Sequence, residues 1–253
     1  MDENIAIVVP CYNEETRLPK NDFIRFLNET SQCKIVFSDD GSRDNTLKVL
    51  EEIKETAPNR VYINCLKKNG GKAAAVRDGV LYCYNQNLDF EKIAFLDSDL
   101  ATSLKECLKV SKRIKKNIVF SFGSRIQKID NRIDRKLYRH IIGRGIATVI
   151  SIILDMNVYD TQCGCKVFRR DLAQFIFKDS FISRWLFDVE LFFRIKHHYK
   201  GKKMRKIARE IPLKAWIDKD ESKVKFSYSI KLWYDLYKIN KKYNAKTISN
   251  DKR

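Results

Sequence analysis

The chain has 253 residues, and 50 Lys and Arg against 32 Asp and Glu give it a formal net charge of +18. An apolar share of 44% supports a sizeable core and excludes wholesale disorder, while nine Gly and four Pro exclude collagen-like and low-complexity chains. No apolar run approaches the roughly 18 residues of a membrane span, and the longest, Ile146 to Leu154, already contains Thr148 and Ser151.

In chain order, Ile5 to Val9 is a short apolar run ended by Pro10 and predicts a buried strand. Lys34 to Ser38 predicts a second strand. Asp44 to Thr56 predicts a helix, with Leu47, Leu50 and Ile53 at three-residue steps and Pro58 soon after. Then come a strand over Val61 to Leu66, a helix over Gly71 to Asn85 and a strand over Lys92 to Leu96. A helix over Ser103 to Lys115 and a fifth strand over Ile118 to Phe122 complete the alternation. Strands alternating with helices imply an α/β fold with a mostly parallel sheet covered on both faces.

The second half is less regular. Arg132 to Arg144 is basic, and Gly145 to Leu154 is apolar and helical. Asp160 to Phe168 reads as a polar loop running into a strand, Trp185 to His198 as an amphipathic helix, and Ile207 to Trp216 as a strand containing a Pro. The tail from Phe226 to Tyr243 reads as a basic amphipathic helix. Lys231, Asp235, Lys238 and Lys242 form its polar stripe, and Phe226, Ile230, Trp233 and Tyr237 its apolar face, widened by Leu232, Leu236, Ile239 and Tyr243. Such a face suits a membrane interface or docking onto the domain itself. No linker breaks the chain, so residues 1–225 form one domain, with lobes of about 1–125 and 126–225, and residues 226–253 form the tail.

Seven scattered cysteines with no CxxC pair argue against a disulfide framework and against a structural zinc site. The acidic, short N-terminus is no signal peptide, so a cytoplasmic protein is expected. The positive charge points to a polyanionic partner: nucleic acid, an anionic membrane surface or phosphorylated small molecules.

Ligands of parallel sheets bind beyond the carboxyl ends of the strands. The segments there are Pro10-Cys11-Tyr12-Asn13-Glu14-Glu15, Asp39-Asp40-Gly41-Ser42, Asp97-Ser98-Asp99 and Gly123-Ser124-Arg125. Each alone is ordinary turn chemistry, but together they gather polar and acidic groups on one edge. Asp97 and Asp99 can present oxygens to one side, and oxygen ligands with no His nearby suit Mg²⁺ or Mn²⁺ rather than zinc. Such an ion also binds substrate phosphates and stabilises a departing diphosphate. There is no GxxxxGK[ST] loop, no GxGxxG after the first strand and no GxSxG elbow.

The motifs VVPCYNEE, SDDGSRDNT, NGGKAAAVRDG, LDSDLAT, GSR, DTQCGCKVF, WLFDVEL and DESK follow in this order. Together they resemble family 2 glycosyltransferases of the GT-A fold, from about Ile5 to Val224. Within that family they resemble the branch that glucosylates dolichyl and polyprenyl phosphates. The stretch Asp160 to Gly164 favours this glucosyl branch over the mannosyl one. The resemblance implies that Pro10, Tyr12 and Glu14 line the nucleotide pocket and that Asp40 contacts the nucleoside. It implies that Asp97 and Asp99 hold the metal and diphosphate, and that Arg125, Arg139 and Lys223 face phosphate groups. Asp188 and Glu190 would lie on an acceptor-side helix near the sugar. Arg43, Asn45 and Cys165 depart from the family pattern, and Cys165, in place of a usual Phe, is expected to alter packing near the acceptor. Relatives often carry membrane spans at one end, and no segment here qualifies as one.

The expected function is inverting transfer of a hexose, glucose from UDP-glucose, to a polyprenyl or dolichyl phosphate. The protein would work peripherally on the cytoplasmic face of a membrane, drawn by its charge to an anionic leaflet. One rival keeps the fold but uses GDP-mannose, or a saccharide hydroxyl acceptor that would need a carboxylate as general base. A nucleic-acid-binding module rests on charge alone and leaves the motifs unexplained.

Overall fold

In the computed structural model the described residues are 4–134, 137–200, 203–217 and 228–248. The elements of the first half are β1 (Ile5–Cys11), α1 (Lys20–Glu29), β2 (Lys34–Asp39), α2 (Thr46–Thr56), β3 (Val61–Cys65), α3 (Lys72–Asn85), β4 (Lys92–Leu96), α4 (Leu104–Ser111) and β5 (Phe120–Ser124). Those of the second half are β6 (Arg132–Asp134), α5 (Leu137–Leu154), β7 (Cys165–Arg169), α6 (Arg170–Ile176), α7 (Phe187–His198), β8 (Ala208–Pro212), β9 (Ala215–Ile217) and α8 (Tyr228–Ile248). Seven strands form one sheet in the order β3-β2-β1-β4-β7-β5-β8, and β6 and β9 form a small second sheet.

The apolar run of β1 is explained by its position in the interior of a doubly covered sheet, between β2 and β4. Ile5, Ile7 and Val9 enter one core layer beneath α1, α2 and α4, while Ala6 and Val8 enter the other, shared with α3, α6 and α7. Successive side chains alternate faces, so a strand buried on both sides has no polar position to spend. Helix α3 lies close on this sheet because Gly79 has no side chain; a Cβ there would sit 2.5 Å from Val8 Cγ1.

The parallel core β3-β2-β1-β4 is as expected, with β1 paired to both β2 and β4 in parallel. The reversal at β7 is new information. It pairs antiparallel with both β4 and β5, which brings the loop before it against the end of β4. The predicted strand over Ile207 to Trp216 is corrected to two strands in two sheets. Pro212 closes β8, and after Leu213 and Lys214 the chain pairs again as β9 beside β6. Ser103 caps α4 by accepting the Glu106 amide at 3.2 Å, and that helix ends at Ser111 rather than Lys115. Helices α1 and α6 were not foreseen.

The tail helix α8 packs onto α7 through Leu236, Ile239 and Tyr243. Its polar stripe is corrected at one place: Asp235 is buried, not solvated. Trp233, Tyr234 and Tyr237 point outward, 45%, 56% and 59% exposed. Among the described residues no helix is long and apolar enough to cross a membrane.

Candidate active site

Three strand ends converge at one edge of the sheet, and their loops are stitched together. Asn13 adopts a φ of 51°, so that its Oδ1 accepts the Arg43 amide at 2.9 Å while its own amide donates to Ser42 Oγ at 3.0 Å. The Glu14 amide donates to Thr46 Oγ1 at 2.7 Å. The loop after β1 is thereby fixed against the loop after β2. Asp40 accepts the amides of Gly70 and Gly71, both at 2.7 Å, and so fixes the turn that starts α3. Burial raises the Asp40 pKa, while those two amides and Arg184 oppose the rise. Gly71 needs to be glycine, since its φ is +88° and a Cβ would press on the Arg184 stem at 3.1 Å.

These loops enclose a cleft of about 440 Å³. Pro10, Tyr12, Glu14, Asp40, Asp97 and Asp99, each predicted on the donor side, all line it. Sequence reasoning did not assign Lys72, Arg184 and Trp185, which also line it. The pair Gly70-Gly71 before Lys72 was the available signal, since only a tight turn requires it.

Lys72 is the first residue of α3, and its Nζ lies 2.5 Å from Asp97 Oδ1. The contact is a close ion pair between ammonium and carboxylate. Burial alone would lower the Lys72 pKa, but Asp97, Asp188 and Asp99 outweigh it and hold it above its ordinary value. Asp97 is placed by Gly164, whose carbonyl accepts the Asp97 amide at 3.1 Å and whose missing side chain makes room for the carboxylate. The antiparallel entry of β7 is what brings Gly164 there.

The other predicted residues are set back from the cleft. Asp188 does not line it; it is buried in α7, with Oδ1 accepting from Lys166 Nζ at 2.6 Å. Lys166 is itself 0% exposed, also donates to the Cys163 carbonyl at 2.7 Å, and lies 5.4 Å over the Phe95 ring. Desolvation raises the Asp188 pKa against the pull of Lys166 and Lys72. Arg125 makes a two-pronged pair with Asp160, at 2.6 and 2.8 Å, and stacks 5.2 Å from the Trp216 ring. Burial works to raise the Asp160 pKa, but Arg125 wins and draws it down to about 2.

Glu190 does not line the cleft: it is buried on α7, on the side that meets α8, and is bonded to Arg194, Tyr243 and the Ile182 amide. Cys165 is likewise buried in β7 beside Cys107 of α4, within the core layer. Arg139 falls on α5 with its side chain outside the described residues, and Lys223 lies outside them altogether.

A divalent ion fits the donor set here in a restricted sense. Asp97 and Asp99 both reach the cleft, and among the described residues no cluster of three or more His, Cys, Asp or Glu could hold a metal. Two carboxylates alone suit an ion such as Mg²⁺ or Mn²⁺ that completes its shell with water and substrate phosphates.

The sequence profile described as Glycosyl transferase family 2 matches residues 6–177. A dolichyl-phosphate beta-glucosyltransferase of Dictyostelium discoideum is 33% identical over 94% of this chain and 74% of its own length. Among solved structures, glucosyl-3-phosphoglycerate synthase from Mycobacterium tuberculosis in complex with UDP superposes with a TM-score of 0.64 at 13% identity, over 94% of this chain and 80% of that one. The same enzyme with Mn²⁺, UDP and phosphoglyceric acid gives 0.60 at 14% identity, over 86% and 72%. At such identity these structures speak for the GT-A fold alone. With the profile spanning most of the described sheet and the Dictyostelium relative covering nearly every residue, the chain belongs to glycosyl transferase family 2.

Proposed function

We propose that this glycosyltransferase moves glucose from UDP-glucose to a dolichyl or polyprenyl phosphate, with inversion at the anomeric carbon. The observation that carries the reading is the cleft itself: Asp97 and Asp99 at the end of β4, faced by Lys72 and Arg184, beside the Asp40-held turn. Carboxylates for a metal and cations for phosphate are what a nucleoside-diphosphate sugar requires. The names of relatives such as the Dictyostelium protein supply the sugar and the lipid phosphate.

In this reading Pro10, Tyr12, Glu14 and Asp40 border the nucleoside, and Lys72 and Arg184 neutralise the diphosphate. Asp97 and Asp99 would hold a Mg²⁺ or Mn²⁺ ion, which when bound stabilises charge on the departing diphosphate. A phosphate oxygen of the acceptor forms the new bond to the anomeric carbon as the bond to the diphosphate oxygen breaks, and UDP leaves with that electron pair. The acceptor arrives as an anion, so no protein group must remove its proton. That agrees with Asp188 being committed to Lys166 behind the cleft wall. Arg125, Arg139 and Lys223 remain candidates for the acceptor phosphate, and Arg125 would first have to exchange its pairing with Asp160. Residues 1–225 would form the catalytic domain, with nucleotide and acceptor lobes meeting near residue 125.

The outward face of α8 supports peripheral attachment to the cytoplasmic leaflet. Lys238 lies 4.3 Å over the Tyr234 ring, and aromatic rings beside lysines suit an anionic interface. The deciding experiment offers labelled UDP-glucose or GDP-mannose, with Mg²⁺ or Mn²⁺, to polyprenyl phosphate or to soluble saccharides. Label from UDP-glucose should appear in an organic-extractable, acid-labile glucosyl lipid. Transfer only to saccharide hydroxyls would overturn the lipid acceptor, and transfer only from GDP-mannose would overturn the donor.

A further inference from the structure

We propose that α8 is a positioning element of the donor cleft: through Asp235 and Tyr243 it grips residues 182–186, which carry Arg184 and Trp185 into the cleft wall. The inference rests on the donor-site reading of that cleft.

The first grip is a buried carboxylate. Asp235 is 5% exposed, and its Oδ2 accepts the Ser183 hydroxyl at 2.7 Å. Burying a carboxylate is costly unless it is hydrogen-bonded, and Leu232, Leu236 and Ile239 already supply apolar contacts for the same helix. Ser183 Oγ in turn accepts the amides of Trp185 at 3.3 Å and Leu186 at 3.1 Å, so it shapes the turn into α7. The second grip lies two turns further along α8. The Tyr243 hydroxyl donates to Glu190 Oε1 at 2.8 Å, while Glu190 Oε2 accepts the Ile182 amide at 2.8 Å. Arg194 completes this knot, bonding Glu190 Oε1 at 2.8 Å and the carbonyls of Ile176, Asp179 and Ser180.

Between the two grips the segment bears directly on the cleft. The Arg184 carbonyl accepts the Ala73 amide at 3.4 Å, and its guanidinium reaches the Asn69 carbonyl at 3.5 Å. Its stem fills the space that a side chain on Gly71 would need. Gly71 is the residue whose amide holds Asp40, and Lys72 follows it. A shift of Arg184 therefore displaces the turn that carries Lys72 toward Asp97. Asp235 and Tyr243 do not line the cleft themselves. They act through the segment, as positioning residues.

The test compares the whole chain with Asp235→Ala and Asp235→Asn, at a temperature where all three are folded. Amide hydrogen exchange on the ligand-free proteins and UDP binding by calorimetry are both read. Asp235→Ala should speed exchange at Trp185, Leu186 and the Gly70–Lys72 turn, and weaken UDP binding about tenfold, the worth of one net hydrogen bond. Asp235→Asn keeps an oxygen for the Ser183 hydroxyl and should restore most of both. In transfer assays the loss should fall on the donor KM rather than on kcat. Faster exchange confined to α8, or unchanged UDP affinity in Asp235→Ala, would overturn the proposal. If the wild-type protein bound no UDP, the donor-site reading would fail instead, and the exchange pattern would still decide whether α8 holds the cleft wall.

Discussion

Replacing Gly164 by Ala should separate the position of Asp97 from the stability of the fold. A Cβ at residue 164 would lie 2.0 Å from Asp97 Oδ2, 2.3 Å from its Cγ and 2.7 Å from its Oδ1. Heavy atoms in contact settle near about 3.5 Å, so the carboxylate must retreat by more than about 1 Å. The backbone itself accepts alanine, because Gly164 is not among the glycines with positive φ. The side chain of Asp97 is 35% exposed and can swing toward solvent, which keeps the cost of overpacking at about 1–2 kcal/mol. Swinging away breaks the pair with Lys72 and removes one of the two carboxylates offered to a metal. Charge stabilisation by such a site is worth several kcal/mol, so kcat/KM for UDP-glucose should fall at least about 100-fold. Thermal unfolding and transfer to polyprenyl phosphate are measured on the same preparation. A folded Gly164→Ala variant with wild-type turnover and unchanged metal dependence would refute the assignment of Asp97 to the reaction.

Asp160 has its folded pKa drawn down to about 2 from 3.8, so its stabilising effect is fully present above about pH 4 and is lost as pH falls toward 2. Wild type should exceed Asp160→Asn by about 2 kcal/mol in denaturant unfolding at pH 6, and the gap should close by pH 2. Lys166→Met leaves Asp188 buried without its cation and should cost about 3–5 kcal/mol, while the double variant Lys166→Met with Asp188→Leu should recover much of the loss. Cys65 alone of the seven cysteines is exposed, and burial pushes the thiols of Cys83 and Cys163 up to about 12. Native protein should therefore react at one thiol with a disulfide reagent near neutral pH, and denatured protein at seven.

What was legible in the sequence is what local pattern encodes. Ile5 to Val9 announces a doubly buried strand because both of its faces must be apolar, and Asp97-Ser98-Asp99 stands out because nothing in a strand or helix interior would place two acids there. Residues whose roles depend on distant partners were not legible. Glu190 shares a helix turn with Asp188, and only the approach of Tyr243 from α8 shows that it faces the opposite way. Lys166 sits in an alternating strand where a solvated side chain would be assumed, and its burial follows from β7 lying between β4 and β5. That strand order is itself hidden, since an antiparallel insertion leaves no mark in the hydrophobic pattern of β7. The same holds for Asp235: helical spacing groups it with Lys231 and Lys238, but Ser183 decides which way it points.

The charges behind the cleft explain how a chain of net charge +18 keeps a usable acidic site. Asp97, Asp99 and Asp188 all act on the Lys72 ammonium, and carboxylates gathered in a partly dry site repel one another unless cations balance them. Lys166 balances Asp188 from within the core, where no ligand can reach it. Lys72 balances Asp97 from the cleft side, where a ligand can. The inner pair is thus a fixed element and the outer pair an exchangeable one. On the donor-site reading proposed above, an arriving diphosphate would compete with Asp97 for the Lys72 ammonium, and the carboxylate so released is one that could hold a divalent ion. Neither the diphosphate nor Asp97 would then be stripped of water without a partner, which is the condition for burying charge at modest cost.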